Sequence, residues 1–118
     1  MPWPDSIEAA REVEIETSRS PGSAVHRTTI WAVVDEGEVY LRSWLGDSGR
    51  WYQEVLANPD AVLHAGGEQF PVRAIHSPDD DSVAHASAGL QRKYSDSSSL
   101  ASMLKSDILH TTLRLERR

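Results

Sequence analysis

The residues best suited to hold a charged small molecule are arginines set among glycines, serines and aromatic rings. The run RSWLGDSGRWYQEVLANP at 42–59 carries Arg42, Ser43, Trp44, Ser48, Arg50 and Trp51. A guanidinium grips phosphate or carboxylate through parallel N–H donors. A helix start beside flexible glycines offers free backbone N–H groups to the same anion. Arg19 and Arg27 bracket an earlier loop and add two more cations. Two readings stand side by side: an anion seat, or surface arginines balancing an acidic chain. Trp44 sits in a polar loop and is placed to cover a flat heteroaromatic ring. Trp31, Trp51 and Tyr52 read first as core or subunit-contact side chains.

Other chemistry finds little support. His26, His64, His76, His85 and His110 show no metal-ligand spacing such as i, i+4 on one helix, so no metal site is expected. There is no G-x-S-x-G elbow, no G-x-G-x-x-G and no P-loop. Asp79, Asp80 and Asp81 read as a solvated helix start. No catalytic acid, base or nucleophile stands out. The absence of cysteine excludes disulfides, thiol redox chemistry and cysteine-ligated clusters. A net charge of −6 argues against nucleic acid and anionic membranes as partners. No apolar run is long enough for a membrane helix, and the opening MPWPDSIEAAR lacks the form of a secretory signal. A single cytoplasmic domain spanning 1–118 is expected.

The elements that must position the arginines follow from periodicity. EVEIET at 12–17 alternates, with Val13, Ile15 and Thr17 on one face. SRSPGSAVHR is a loop. TTIWAVVD at 28–35 reads as one strand covered on both sides, and Glu36–Gly37 as a tight turn into the strand EVYLRS. Asp47 or Ser48 is the candidate cap of a helix running to Asn58–Pro59, with Val55 and Leu56 in the core. AVLHA and EQFPVRAI form a hairpin about Gly66–Gly67, and Pro71 implies an edge or a bulge. Ser77 caps a helix with Pro78 in its first turn. That helix should reach about Tyr94, with Val83, Ala86, Leu90 and Tyr94 inward. A short helix near 98–106 and a strand with Thr111, Leu113 and Leu115 inward complete the order. Strand hairpins with inserted helices argue for α+β with a mainly antiparallel sheet of six strands, able to curl into a small barrel.

The run HRTTIWAVVDEGEVYLRSWLGDSGRWYQEVLANPDAVLHAGGEQFPVRAI at 26–75 resembles the flavin- and deazaflavin-binding split β-barrel superfamily, pyridoxamine phosphate oxidase-like in fold. The likeness is greatest to the deazaflavin-dependent nitroreductases and to a small uncharacterised, DUF2255-like family. The segment LQRKYSDSSSLASMLKSDILHTTLRLERR is similar to the C-terminus of that small family. The resemblance implies a six-stranded split barrel, a homodimer, and a cofactor (FMN or the deazaflavin coenzyme) in a groove at or near the dimer interface. It implies that Arg19 and Ser20 grip the phosphate side, that Thr28, Thr29 and Ile30 lie beside the ring, that Arg42 and Ser43 hold the phosphate, and that Arg50 with Trp51 starts the helix below it. Two departures lower the positive charge. Trp44 stands where the nitroreductases usually carry lysine, and SRSPG replaces their usual Gly-Arg-Lys-Ser-Gly loop. The implied chemistry is hydride transfer from reduced cofactor to a small electron-poor acceptor. A non-catalytic cofactor-binding or carrier module on the same fold, and a ligand-free structural dimer, are the alternatives.

Overall fold

In the computed structural model, which describes residues 3–118, one seven-stranded antiparallel sheet carries four helices. The strands are β1 (Val13–Ser18), β2 (Val25–Ile30), β3 (Val33–Asp35), β4 (Glu38–Leu41), β5 (Asp60–Ala65), β6 (Glu68–His76) and β7 (Leu113–Arg117). The helices are α1 (Asp5–Ala9), α2 (Arg50–Ala57), α3 (Asp80–Lys93) and α4 (Leu100–Met103), with 3-10 turns at Gly46–Ser48 and Ser106–Thr111. The α+β class and the antiparallel sheet agree with the sequence; the strand count is seven rather than six.

The extra strand comes from 28–35, which is not one strand. The sheet order is β2-β1-β5-β6-β7-β4-β3, so β2 and β3 are its two opposite edges. Only Trp31 and Ala32 join them. Ile30 and Val33 are therefore at most about 11 Å apart, and the sheet must curl until its edges nearly meet. The apolar run was misread because its two halves serve different walls. β2 is largely exposed, whereas β4 is buried on both faces: Val39 and Leu41 point into the curl, and Tyr40 joins the cluster under α3. The sharp β3–β4 turn needs positive φ at two residues, met by Gly37 at +78° and Glu36 at +51°.

The core inside the curl is aliphatic: Val13, Ile15, Leu63, Val72, Leu113 and Leu115 are all buried there, capped by Trp51, Tyr52 and Val55 of α2. Each such aliphatic side chain contributes roughly 1.5–3 kcal/mol. A second cluster of Val33, Tyr40, Leu90, Tyr94 and Met103 cements α3 and α4 to the outer face. The β1 alternation appears as read, with Val13, Ile15 and Thr17 buried.

Four local expectations change. Pro71 lies in β6, a central strand, where its carbonyl accepts from the Arg118 N–H one residue past the last ladder pair Val72↔Arg117, so its missing N–H falls at the very end of the β6–β7 ladder. The cap of α3 is Asp79, accepting from the Ser82 N–H at 3.0 Å, while Ser77 donates to the Ile75 carbonyl. Leu56 is half-exposed because it faces away from β1. The short α1 gave no periodic signal. No described helix is long and apolar enough to cross a membrane.

Candidate functional site

Curling leaves a groove of about 480 Å³ at the seam where the sheet edges approach, within the size range of small-molecule sites. The end of β2 supplies Thr28, Thr29 and Ile30, followed by Trp31. The end of β4 leads into Arg42, Ser43, Trp44 and Leu45. The start of α2 supplies Gly49, Arg50 and Trp51, with Glu12, Ser99 and Met103 completing the wall.

Arg42 is the most constrained of these. It is 3 % exposed. Its Nε donates to Thr112 Oγ1 at 3.0 Å, Nη1 to Ser87 Oγ and the Met103 carbonyl at 3.1 and 3.0 Å, and Nη2 to the Val83 carbonyl at 3.2 Å. Four of its five N–H donors thus pin β4 to α3, α4 and the β7 approach. All four acceptors are neutral. Among the described residues no carboxylate lies within 4.0 Å of it. Burial lowers its pKa to about 10, so the group stays cationic at neutral pH.

The loop 43–49 is built to expose the start of α2. The Ser43 N–H donates to Thr111 Oγ1 at 3.0 Å, and the Ser43 hydroxyl donates to the Gly46 carbonyl at 2.8 Å. A Cβ on Gly49 would fall 2.5 Å from that hydroxyl oxygen, so any larger residue would force Ser43 or the loop to shift. Gly49, not Asp47 or Ser48, is the cap residue of α2, and no side chain caps the helix. The first-turn amides are left to face a ligand or water. Ser48 instead donates to the Leu45 carbonyl at 2.7 Å. Arg50 is exposed at the groove, and Trp44 and Leu45 are 62 % and 63 % exposed on its rim.

Eight of the sequence-predicted site residues therefore share the groove: Thr28, Thr29, Ile30, Arg42, Ser43, Trp44, Arg50 and Trp51. Ser48 does not line it. Arg19 and Ser20 lie at the far tip of the β1–β2 hairpin, where Ser18 pairs with Val25 and the groove end has Val13 paired with Ile30. Six residues of strand put them about 20 Å away. Ser20 is held locally, its N–H donating to Ser23 Oγ. Glu12, Ser99 and Met103 come to the groove from distant segments and carry no local signal, and Leu45, inside the 42–59 run, has no polar group to mark it. Trp31, which the sequence suggests for the core or a subunit contact, also lines the groove.

Four of the five histidines are placed by carboxylates, while His76 meets the His110 carbonyl at 2.8 Å. His26 meets Glu54 at 2.9 Å, His64 Glu16 at 3.0 Å, His85 Asp35 at 2.7 Å and His110 Asp47 at 2.7 Å. Glu54 is buried and also accepts from Thr17 at 2.7 Å. Burial pushes its carboxyl up, but the hydrogen bonds from Thr17 and His26 outweigh that, and the net direction is down. Among the described residues no group of three or more such side chains is placed to hold a metal ion.

The family model described as "Uncharacterized protein conserved in bacteria (DUF2255)" matches residues 5–115. No curated protein sequence matches the chain. Among solved structures, an F420-H2 dependent reductase superposes with a TM-score of 0.67 at 17 % identity, covering 90 % of this chain and 94 % of that one. The heme storage protein HutZ from Vibrio cholerae gives 0.71 at 11 % identity, over 97 % and 86 %. A 5-nitroimidazole antibiotic resistance protein from Bacteroides thetaiotaomicron, so described provisionally, gives 0.67 at 11 % identity, over 96 % and 75 %. At these identities the likeness is one of fold, the split barrel.

Proposed function

The chain belongs to the DUF2255 family of bacterial proteins, and on that footing we propose that its groove binds a phosphate-bearing flavin or deazaflavin coenzyme and works with it as an oxidoreductase. The observation that carries this reading is Arg42. A buried cation is costly unless an anion compensates it, and among the described residues no carboxylate lies within 4.0 Å of this one; Glu12, the acid in the groove wall, is exposed. A ligand phosphate is the anion that would complete it.

The residues fit such a coenzyme in kind. The groove wall combines cationic donors, from Arg50, the uncapped α2 amides and the remaining N–H of Arg42, with apolar and aromatic surface from Ile30, Trp31 and Met103. When bound, the coenzyme supplies hydride from its ring to an electron-poor acceptor. The chain supplies placement: Arg50 and the α2 start orient the phosphate, Thr28 and Thr29 border the ring, and Trp44 with Leu45 shields it from water. No protein acid or base is required. A homodimer is part of the proposal; the open edge of β2 and the exposed Trp44–Leu45 rim support it. Arg19 and Ser20 touch the coenzyme only if a second copy brings them there.

A non-catalytic carrier is the second reading, favoured by the reductase and the heme storage protein sharing this fold. Titration with FMN and with the deazaflavin coenzyme, followed by fluorescence, tests both. Micromolar binding is expected, weakened about tenfold or more in Arg50→Ala. Faster oxidation of reduced coenzyme by a nitroaromatic acceptor selects the enzyme; binding without it selects the carrier. Absence of binding at high micromolar concentration sinks both, and a monomer by light scattering removes the dimer.

A further inference from the structure

Trp31 occupies the seam between the two sheet edges and borders the groove. Its ring lies flat on Tyr94, with centroids 3.8 Å apart and planes within 6°. Tyr94 is fully buried and donates its hydroxyl to the Arg11 carbonyl at 2.7 Å. The Lys93 ammonium sits 5.3 Å from the Tyr94 ring centroid and donates to the Ile7 and Ala32 carbonyls at 3.0 and 2.7 Å. Ala32, next in the chain, has no exposed surface. Trp31 is therefore fixed from behind and from its own backbone. With one face covered by Tyr94, what it lends to the groove is its other face and its rim.

We propose that Trp31, backed by Tyr94, is the stacking platform on which the groove seats a planar, electron-poor, fused heteroaromatic ring. The inference rests on the coenzyme reading and adds the subsite that selects the ring. Indole is the most electron-rich aromatic side chain, so its face favours an electron-poor partner. A platform that is already immobile loses little freedom when the ring arrives. Arg50 and the α2 start offer the donors for the phosphate and Trp31 the surface for the ring, so a small anion uses only part of the site.

Riboflavin, which has the fused ring without the phosphate, isolates the platform, and inorganic phosphate isolates the cationic donors. In Trp31→Leu, riboflavin and FMN should bind about tenfold more weakly, while the thermal stabilisation given by phosphate is unchanged. Trp31→Phe keeps a flat ring and serves as the folding control. It should hold riboflavin within about threefold of the parent. It should also lessen flavin quenching, to which Trp31 contributes by donating an electron to the excited ring, beside Trp44 and Trp51 of the same groove. Tyr94→Leu, which does not reach the ligand, should weaken riboflavin by loosening Trp31. Equal flavin binding by the parent and Trp31→Leu overturns the platform and leaves the coenzyme reading standing. Failure of the parent to bind either FMN or riboflavin, with phosphate still stabilising it, removes both.

Discussion

Arg42 and Arg92 carry the same charge and receive opposite treatment. Arg92 is on the outer face of α3, half exposed, with Asp35 at 3.0 Å and Glu8 at 3.8 Å. Arg42 is buried in the groove wall with neutral acceptors only. The costlier cation is the one without a counter-ion. A chain carrying six more negative than positive charges has carboxylates to spare, and it spends them on Arg92 and on four histidines. The lack at Arg42 is a feature of the groove, in keeping with an anion that arrives from outside.

The strongest way to break this contrast is Arg42→Met. Two buried acceptors, on Thr112 and Met103, and two part-buried ones, on Ser87 and Val83, would lose their donor, costing about 3 kcal/mol or more in urea unfolding. Phosphate should raise the melting temperature of the parent by preferential binding to the folded state and should do nothing for the variant. Arg42→Lys keeps the charge but not the fork, and should fall between. A variant as stable as the parent would show that Arg42 is no hub, and an unchanged phosphate response would show that it is no seat.

Gly49→Ala comes next, because it disturbs the groove without removing a charge. The new methyl collides with Ser43 Oγ, which is held by the Gly46 carbonyl. A loss of about 2 kcal/mol is expected, together with weaker anion binding as the start of α2 shifts. Normal stability with intact phosphate response would mean that the loop repacks freely and does not set the seat.

Glu54→Gln probes the matched counterpart of Arg42, a buried charge that does have its partners. Its side chain receives from Thr17 and His26, so the change should cost about 1–2 kcal/mol. The folded carboxyl titrates below its ordinary value. Its contribution is therefore complete at neutral pH and is lost as pH falls below about 4 through that lowered value. The difference between parent and variant should shrink in acid; a constant difference from neutral pH to about pH 3 would argue against a charged Glu54.

These charges show why the sequence was legible only in part. Local chemistry was readable: the β1 alternation, the Glu36–Gly37 turn, and the cluster of arginine, glycine and tryptophan at 42–51. Tertiary chemistry was not. Nothing near Arg42 announces Ser87, Met103 or Thr112, which are 45, 61 and 70 positions away. The run 28–35 misled because Trp31 and Ala32 are apolar. The chain can change from one sheet edge to the other without a glycine or proline when the sheet itself curls to meet it. The cap of α2 misled for a related reason: Asp47 and Ser48 are good capping types, but capping would close the groove floor that Gly49 leaves open.

The matched corner should yield the smallest effects. Arg92→Ala removes a half-exposed bridge and should cost under about 1 kcal/mol. His85 offers the finer test, because its bond to Asp35 shifts both partners. That hydrogen bond raises the His85 pKa and, against the opposing effect of burial, lowers that of Asp35. A raised histidine contributes fully below its unfolded value near 6.5 and loses the contribution as pH climbs through the folded one. A lowered aspartate contributes fully above its unfolded value near 3.9 and loses it as pH falls. The pair therefore stabilises most between roughly pH 4 and 6.5. His85→Gln should lower the melting temperature by about 2 °C at about pH 5.5 and by less at about pH 8.5. Phosphate response should be unchanged at both, since this corner already holds its own counter-ions. A phosphate response that fell with His85→Gln would mean the two regions share one charge balance, and the contrast with Arg42 would no longer hold.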